Sequence, residues 1–260
     1  MQGATKQEQP ASRRNYDVVR QHGEEELNRP VVSVIWSGVA AGILISFSVV
    51  GEAILHVNLP DTSWRFLMEN LGYSFGFLLV ILGRMQLFTE NTITTVLPLV
   101  AERSRACLMS TLRVWGIVLL ANVVGALVAA AFILWSNAFA GPMIEAIDAL
   151  SNHATGMPAL ESLARGVPAG ILIAAIVWMM PSQSGNEVIL IVLFTWLIAA
   201  GDFTHIIAGS VEMWFLILRG SLDPLTAIMG FFVPVLVGNV IGGTAVFTLL
   251  AWGQVQAEVE

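Results

Sequence analysis

The stretch GDFTHIIAGSVEM (201–213) carries Asp202, Thr204, His205 and Glu212 between two strongly apolar runs, VILIVLFTWLIAA and WFLIL. Ionisable groups at membrane depth are costly, and by default they mark pathways or charge pairs. An imidazole titrates near neutral pH, so His205 can give a proton to a weak acid or take one back. A bare anion loses its hydration energy in an apolar constriction, whereas its conjugate acid loses far less. His205 between apolar gates could therefore pass a weak acid and refuse a strong-acid anion. Protonated, it could instead simply attract the anion, and as a bare structural residue it would cap a broken helix end. A second polar interruption, GRMQLFTENTITT (83–95), supplies Arg84, Thr89 and Glu90. Thr89 offers a hydroxyl at a helix start, where anions are favoured and where threonine is also a good cap. An unpaired buried charge is severely penalised, so Arg84 is expected to pair with Glu90, Asp202 or Glu212 as a lock on the breaks. The sharper alternative makes Glu90 or Asp202 a proton relay to His205. Carboxylates beside a pore repel anions, which keeps neutral-solute transport open.

The elements that must position these residues follow from composition. The chain has 260 residues, 56% hydrophobic and 12% charged, against about 25% charged in soluble domains. That describes an all-α polytopic membrane protein. A spanning helix needs about 20 apolar residues, and six segments qualify: 31–56, 69–100, 113–136, 163–181, 187–218 and 227–252. The second and fifth are roughly 30 residues, or about 45 Å as helix, and each holds one of the polar interruptions. Both are expected to break near the membrane midplane. Basic residues cluster before residue 30 and at Arg103, Arg105 and Arg113, while 136–164 has no Lys or Arg. By the positive-inside rule both termini are cytoplasmic. Residues 1–30 form a cytoplasmic leader, within which 14–29 are either an amphipathic helix on the membrane surface or a solvated segment. The membrane domain is 31–252, and 253–260 are a short cytoplasmic tail. No cleaved signal peptide is expected.

SGVAAGILI (37–45) recurs as RGVPAGILI (165–173), FTE at Phe88 as FTH at Phe203, and NVVGA at Asn122 as NVIGG at Asn239. Three matches in one order predict two three-helix units. An odd number of spans per unit inverts the second, and inverted repeats place the substrate path between discontinuous helices. The loops at Thr89 and His205 should then meet. The GxxxG pairs, Gly38/Gly42, Gly72/Gly76, Gly166/Gly170 and Gly238/Gly242, allow close helix approach. Asn122 and Asn239 are expected to hydrogen-bond exposed backbone, Glu52 and His56 to be interfacial, His22 and His153 to be solvated, and most tryptophans to lie near segment ends.

LFTEN, FTHIIAGSVE and GNVIGG resemble the formate/nitrite transporter family over about residues 31 to 252, and QLFTEN, TWLIAAGDFTH and GSVE resemble a divergent branch of it in the bacterial inner membrane. The resemblance implies an aquaporin-like protomer, a homopentamer, and one pore per protomer for formate, nitrite or hydrosulfide. The family's pore histidine and facing threonine match His205 and Thr89. Its apolar constrictions match Tyr73, Phe77, Leu87, Phe88 and Ile198, and its central-pocket asparagines align with Gly170 and Gly209. Thr204 replaces the family's glutamate before the histidine, and Arg84 stands where a small residue is usual, which puts the substrate in doubt. The alternatives are a pore for neutral solutes and a non-transporting scaffold whose path is filled by side chains. One cysteine, no HExxH and no GxSxG argue against an enzyme or metal centre, and no nucleic-acid, nucleotide or redox-cofactor motif is present.

Overall fold

Apolar runs in lipid can satisfy their backbone only as helices or closed barrels. The structure, a computed structural model that describes residues 10–139 and 141–259, takes the first route and has no strand among the described residues. Helix α1 is Ala11–Leu27, α2 Val31–Asn58, α3 Arg65–Leu82, α4 Phe88–Thr94 and α5 Val96–Glu102. They are followed by α6 Arg105–Trp135, α7 Gly141–Thr155, α8 Ala159–Met179, α9 Glu187–Ala200, α10 Ile206–Arg219 and α11 Pro224–Ala257. Five of them, α2, α3, α6, α8 and α11, are long and apolar enough to cross a bilayer, and α9 is a shorter apolar helix.

The two expected breaks are present at 83–87, between α3 and α4, and at 201–205, between α9 and α10. Both are made the same way. The N–H of Met85 donates to the Val80 carbonyl (3.0 Å) and that of Arg84 to Ile81 (3.1 Å); Phe203 donates to Ile198 and Asp202 to Ala199, both at 2.9 Å. This is the Schellman cap, which requires a left-handed residue. Arg84 (φ 50°) and Asp202 (φ 51°) adopt that conformation although neither is glycine. The hydrogen bonds set Arg84 opposite Asp202 and Leu87 opposite His205. The FTE and FTH words, by contrast, align Phe88 with Phe203, three residues out of step.

Glycine decides how closely the long helices approach. A methyl group on Gly42 would overlap the backbone oxygen of Asn122 in α6, and one on Gly170 would overlap the backbone oxygen of Asn239 in α11. Gly170 therefore belongs to the α8–α11 contact rather than to the pore surface expected of it. Its open side is filled by backbone that cannot withdraw. Gly170→Ala should destabilise the protein by about 1–3 kcal/mol, the usual cost of overpacking, read as a lowered thermal midpoint in detergent; an unchanged midpoint would show that α8 and α11 can separate freely.

Each half of the bundle reaches into the other: α10 packs on α6, and α4 on α8. Helix α1 buries Tyr16, Val19 and Leu27 against the helical bundle. Its Gly23 lies against the Thr94 backbone, and Arg113 Nη2 donates to the Leu27 carbonyl at 2.8 Å. Helix α7, in the stretch that lacks basic residues, is absent from the sequence reading. It buries only Ala146, Ile147 and Ser151 and packs on α10 and α2, so its apolar stripe is too narrow to signal a span. Trp36 and Trp135 are exposed at 72% and 63%, as interfacial tryptophans should be.

Candidate functional site

Breaking a buried helix strands backbone groups, and one fully buried asparagine per break satisfies them. Asn122 Oδ1 accepts from the Phe88 N–H (2.9 Å), while its Nδ2 donates to the Gly38 and Gln86 carbonyls (both 2.8 Å). Asn239 Oδ1 accepts from the Ile206 N–H (2.9 Å), and its Nδ2 donates to Gly166 (2.9 Å) and Thr204 (2.8 Å). Each amide ties the first N–H of a half-helix, a carbonyl of the preceding loop and a carbonyl of a neighbouring helix.

Those anchors bring the two breaks together. Thr89 Oγ1 lies 2.8 Å from His205 Nε2, and both side chains are buried. His205 caps α10, its Nδ1 accepting from the Ala208 N–H at 3.3 Å. A backbone N–H can only donate, so Nδ1 is the unprotonated nitrogen and Nε2 carries the hydrogen. Nε2–H then donates to the Thr89 hydroxyl, which keeps its own O–H as a donor. Capping and facing Thr89 are thus both true of this histidine. Thr89 is fixed from behind: Thr92 Oγ1 donates to the Thr89 carbonyl (2.7 Å), and Thr244 Oγ1 donates to the Thr92 carbonyl (2.8 Å). Thr244 lies in a π-helical turn of α11, a distortion often found at functional sites.

Apolar side chains surround the pair. Phe77 meets His205 edge-on with ring centroids 5.0 Å apart, and Tyr73 packs on Phe77 at 5.3 Å. Leu87 and Ile198 are wholly buried, and Phe88, 2% exposed, meets Trp115 edge-on.

A cavity of about 330 Å³ reaches His205 and is lined by Tyr73, Phe203, Thr204, Gly209 and Phe231, among others. Phe231 occupies the space above Gly209, where an added methyl group would strike its ring. Sequence reasoning missed the aromatic at 231, and it also missed Glu52, Glu69 and His153, which line the same cavity. Glu52 is expected at the interface; His153, expected in solvent, is 61% exposed and lines the cavity from its open side. Their shared wall is assembled from α2, α3, α7 and α11, and no spacing within one segment reveals it.

The expected charge lock does not form. Arg84, left-handed at the cap, is exposed and makes no ion pair among the described residues. Asp202 pairs instead with His153 (2.9 Å) and Arg165 (3.6 Å). No hydrogen bond joins Glu90 to His205: Glu90 sits in the first turn of α4, off the cavity lining, and its Oε1 is buried without a hydrogen-bond partner among the described residues. Glu212 does face the cavity and pairs with none of them.

Paired breaks, anchoring asparagines and a buried Thr–His contact define a helical protein built around a central polar point. The chain belongs to the formate/nitrite transporter family, whose sequence pattern matches residues 13–253. It is 38% identical to the inner membrane protein YfdC of Escherichia coli (strain K12), over 94% of this chain and 79% of that one. It is 27% identical to the formate channel FocA of Haemophilus influenzae, over 83% of this chain and 84% of that one. A solved pentameric formate channel with formate bound shares the fold, with a TM-score of 0.76 and 23% identity over 87% of this chain and 98% of that one.

Proposed function

We propose that the chain is a transmembrane channel or transporter for small monovalent anions of weak acids, such as formate or nitrite, linked to proton movement through His205. The contact that carries this reading is Thr89 Oγ1 to His205 Nε2 at 2.8 Å. It leaves one hydroxyl donor and one imidazole at the meeting point of two half-helix starts, inside an apolar sleeve. Such a point can hold an anion's oxygen, and the sleeve favours the neutral acid over the ion. Six spans in two inverted three-helix units fit the matched caps and matched asparagines, with α3–α4 and α9–α10 as the broken spans. Both termini lie on the cytoplasmic side of a bacterial inner membrane in this reading, in keeping with the arginines at one end and with the relative YfdC, an inner membrane protein. A homopentamer accords with the pentameric solved relative.

A second reading, a pore for neutral solutes, draws on Glu52 and Glu212 at the cavity wall, since carboxylates repel anions. Proteoliposomes separate the two. Formate and nitrite should equilibrate well ahead of urea and glycerol. Faster urea or glycerol, with no anion flux, would give the site to neutral solutes.

A further inference from the structure

The cavity that reaches His205 is acidic, and its charges do not balance. Four carboxyl groups line it: Glu52, Glu69, Asp202 and Glu212. Glu69 is held by His56 (3.0 Å) and Arg65 (3.3 Å). Asp202 is held by His153 (2.9 Å) and Arg165 (3.6 Å). Glu52 and Glu212 have no hydrogen bond and no ion pair among the described residues, and Glu212 is only 8% exposed. The other groups facing them are the Tyr73 phenol and His205, and His205 already spends both nitrogens on Ala208 and Thr89. On α7, which packs against both α2 and α10, Asp148 is taken by Arg219 (3.4 Å) and Glu145 lines a separate pocket beside His56. No basic side chain is left over to answer the two carboxylates.

An unpaired carboxylate withdrawn from bulk water is penalised unless a positive charge reaches it, and an anion that enters this cavity toward His205 meets both. We propose that Glu52 and Glu212 form a site for one small positive charge, a proton or a monovalent cation, whose occupancy the anion needs in order to reach His205. The site deepens the function proposed above and rests on it. A carboxylate neutralised from solution no longer repels the substrate. If the charge is a proton, the carboxyl O–H can pass it to the anion's oxygen, giving the neutral acid and a carboxylate that reloads with a proton from the acid side of the external solution. Tyr73, Phe66, Phe203 and Phe231 line the same wall, and aromatic rings are compatible with a nearby cation as well.

The test compares wild type with the E52Q/E212Q double variant, and with E212Q alone, which keeps the shape of the side chain, should the double variant fold poorly. Formate uptake is measured in two arms: pH varied in a buffer whose only cation is bulky and impermeant, and sodium, potassium or ammonium titrated at fixed pH. Wild type should depend on the first arm or on the second, and that arm names the occupant. The variant should keep flux when the site would be filled and gain it when the site would be empty, flattening the dependence on the order of tenfold, a usual size for linked sites. An unchanged profile in both arms overturns the site while leaving the anion pore standing. The thermal midpoint of the purified protein gives a readout without flux, because a ligand that binds only the folded state raises it. A wild-type rise with acid or cation that the variant lacks supports the site even if formate never moves, which would sink the proposed substrate alone. The same rise in both proteins overturns the site.

Discussion

Asn239→Leu is expected to cost about 3 kcal/mol or more of folding stability, since each buried backbone group left without a partner costs about 1–3 kcal/mol and the substitution strands three of them. Asn122→Leu should cost a similar amount for the same reason at the other break. Leucine is close in size, so the loss would reflect hydrogen bonding rather than a cavity. Asn239→Asp would be intermediate, keeping the acceptor for Ile206 N–H and losing the donors to Gly166 and Thr204. Unfolding in mixed micelles measures all three. A loss below about 1 kcal/mol for either leucine variant would mean that water or a shifted loop satisfies the break, and that the asparagines do not hold the two half-helices together.

His205→Asn should abolish most transport while leaving the fold intact. Asparagine is among the best N-caps, so the Ala208 N–H that Nδ1 now receives keeps an acceptor. What disappears is the Nε2–H at 2.8 Å from Thr89. That N–H frees the Thr89 O–H to donate to the anion, and a hydrogen bond to a charged group is worth about 1.5–3 kcal/mol, so anion flux should fall roughly 10- to 100-fold. His205→Leu should lose the cap as well and unfold at lower temperature. The difference between the two variants separates the structural duty of the histidine from its duty to substrate. Equal flux in wild type and His205→Asn would remove the imidazole from the transport path.

Much of this architecture was legible in the chain. Segments too long for one span, with the polar words 83–95 and 201–210 at their middles, point to the stretches within which the helices break at 83–87 and 201–205. The recurring asparagines were readable as backbone partners because an amide in an apolar helix needs bonds. The internal register was not readable from words: Phe-Thr recurs at Phe88 and Phe203, but the hydrogen bonds equate Phe88 with Ile206, since chain direction in a cap is fixed by backbone bonds and not by side-chain likeness. The charges were misread for a related reason. Arg84 and Asp202 occupy matching left-handed caps; Arg84 is exposed, while Asp202 stays on the cavity wall and pairs with what lies beside it. For Asp202 that is α7 and α8, with His153 and Arg165. The wall bearing Glu52 and Glu212 comes from helices far apart in sequence, and helix spacing carries no trace of it.

The central claim is a proton-linked anion path through Thr89 and His205, and it is met most directly by recording formate uptake together with internal pH in sealed proteoliposomes of the wild-type protein. The account predicts that formate entry acidifies the interior in step with uptake, and that the rate climbs as the external pH falls. Formate that enters with no accompanying proton, driven only by membrane potential, would contradict it.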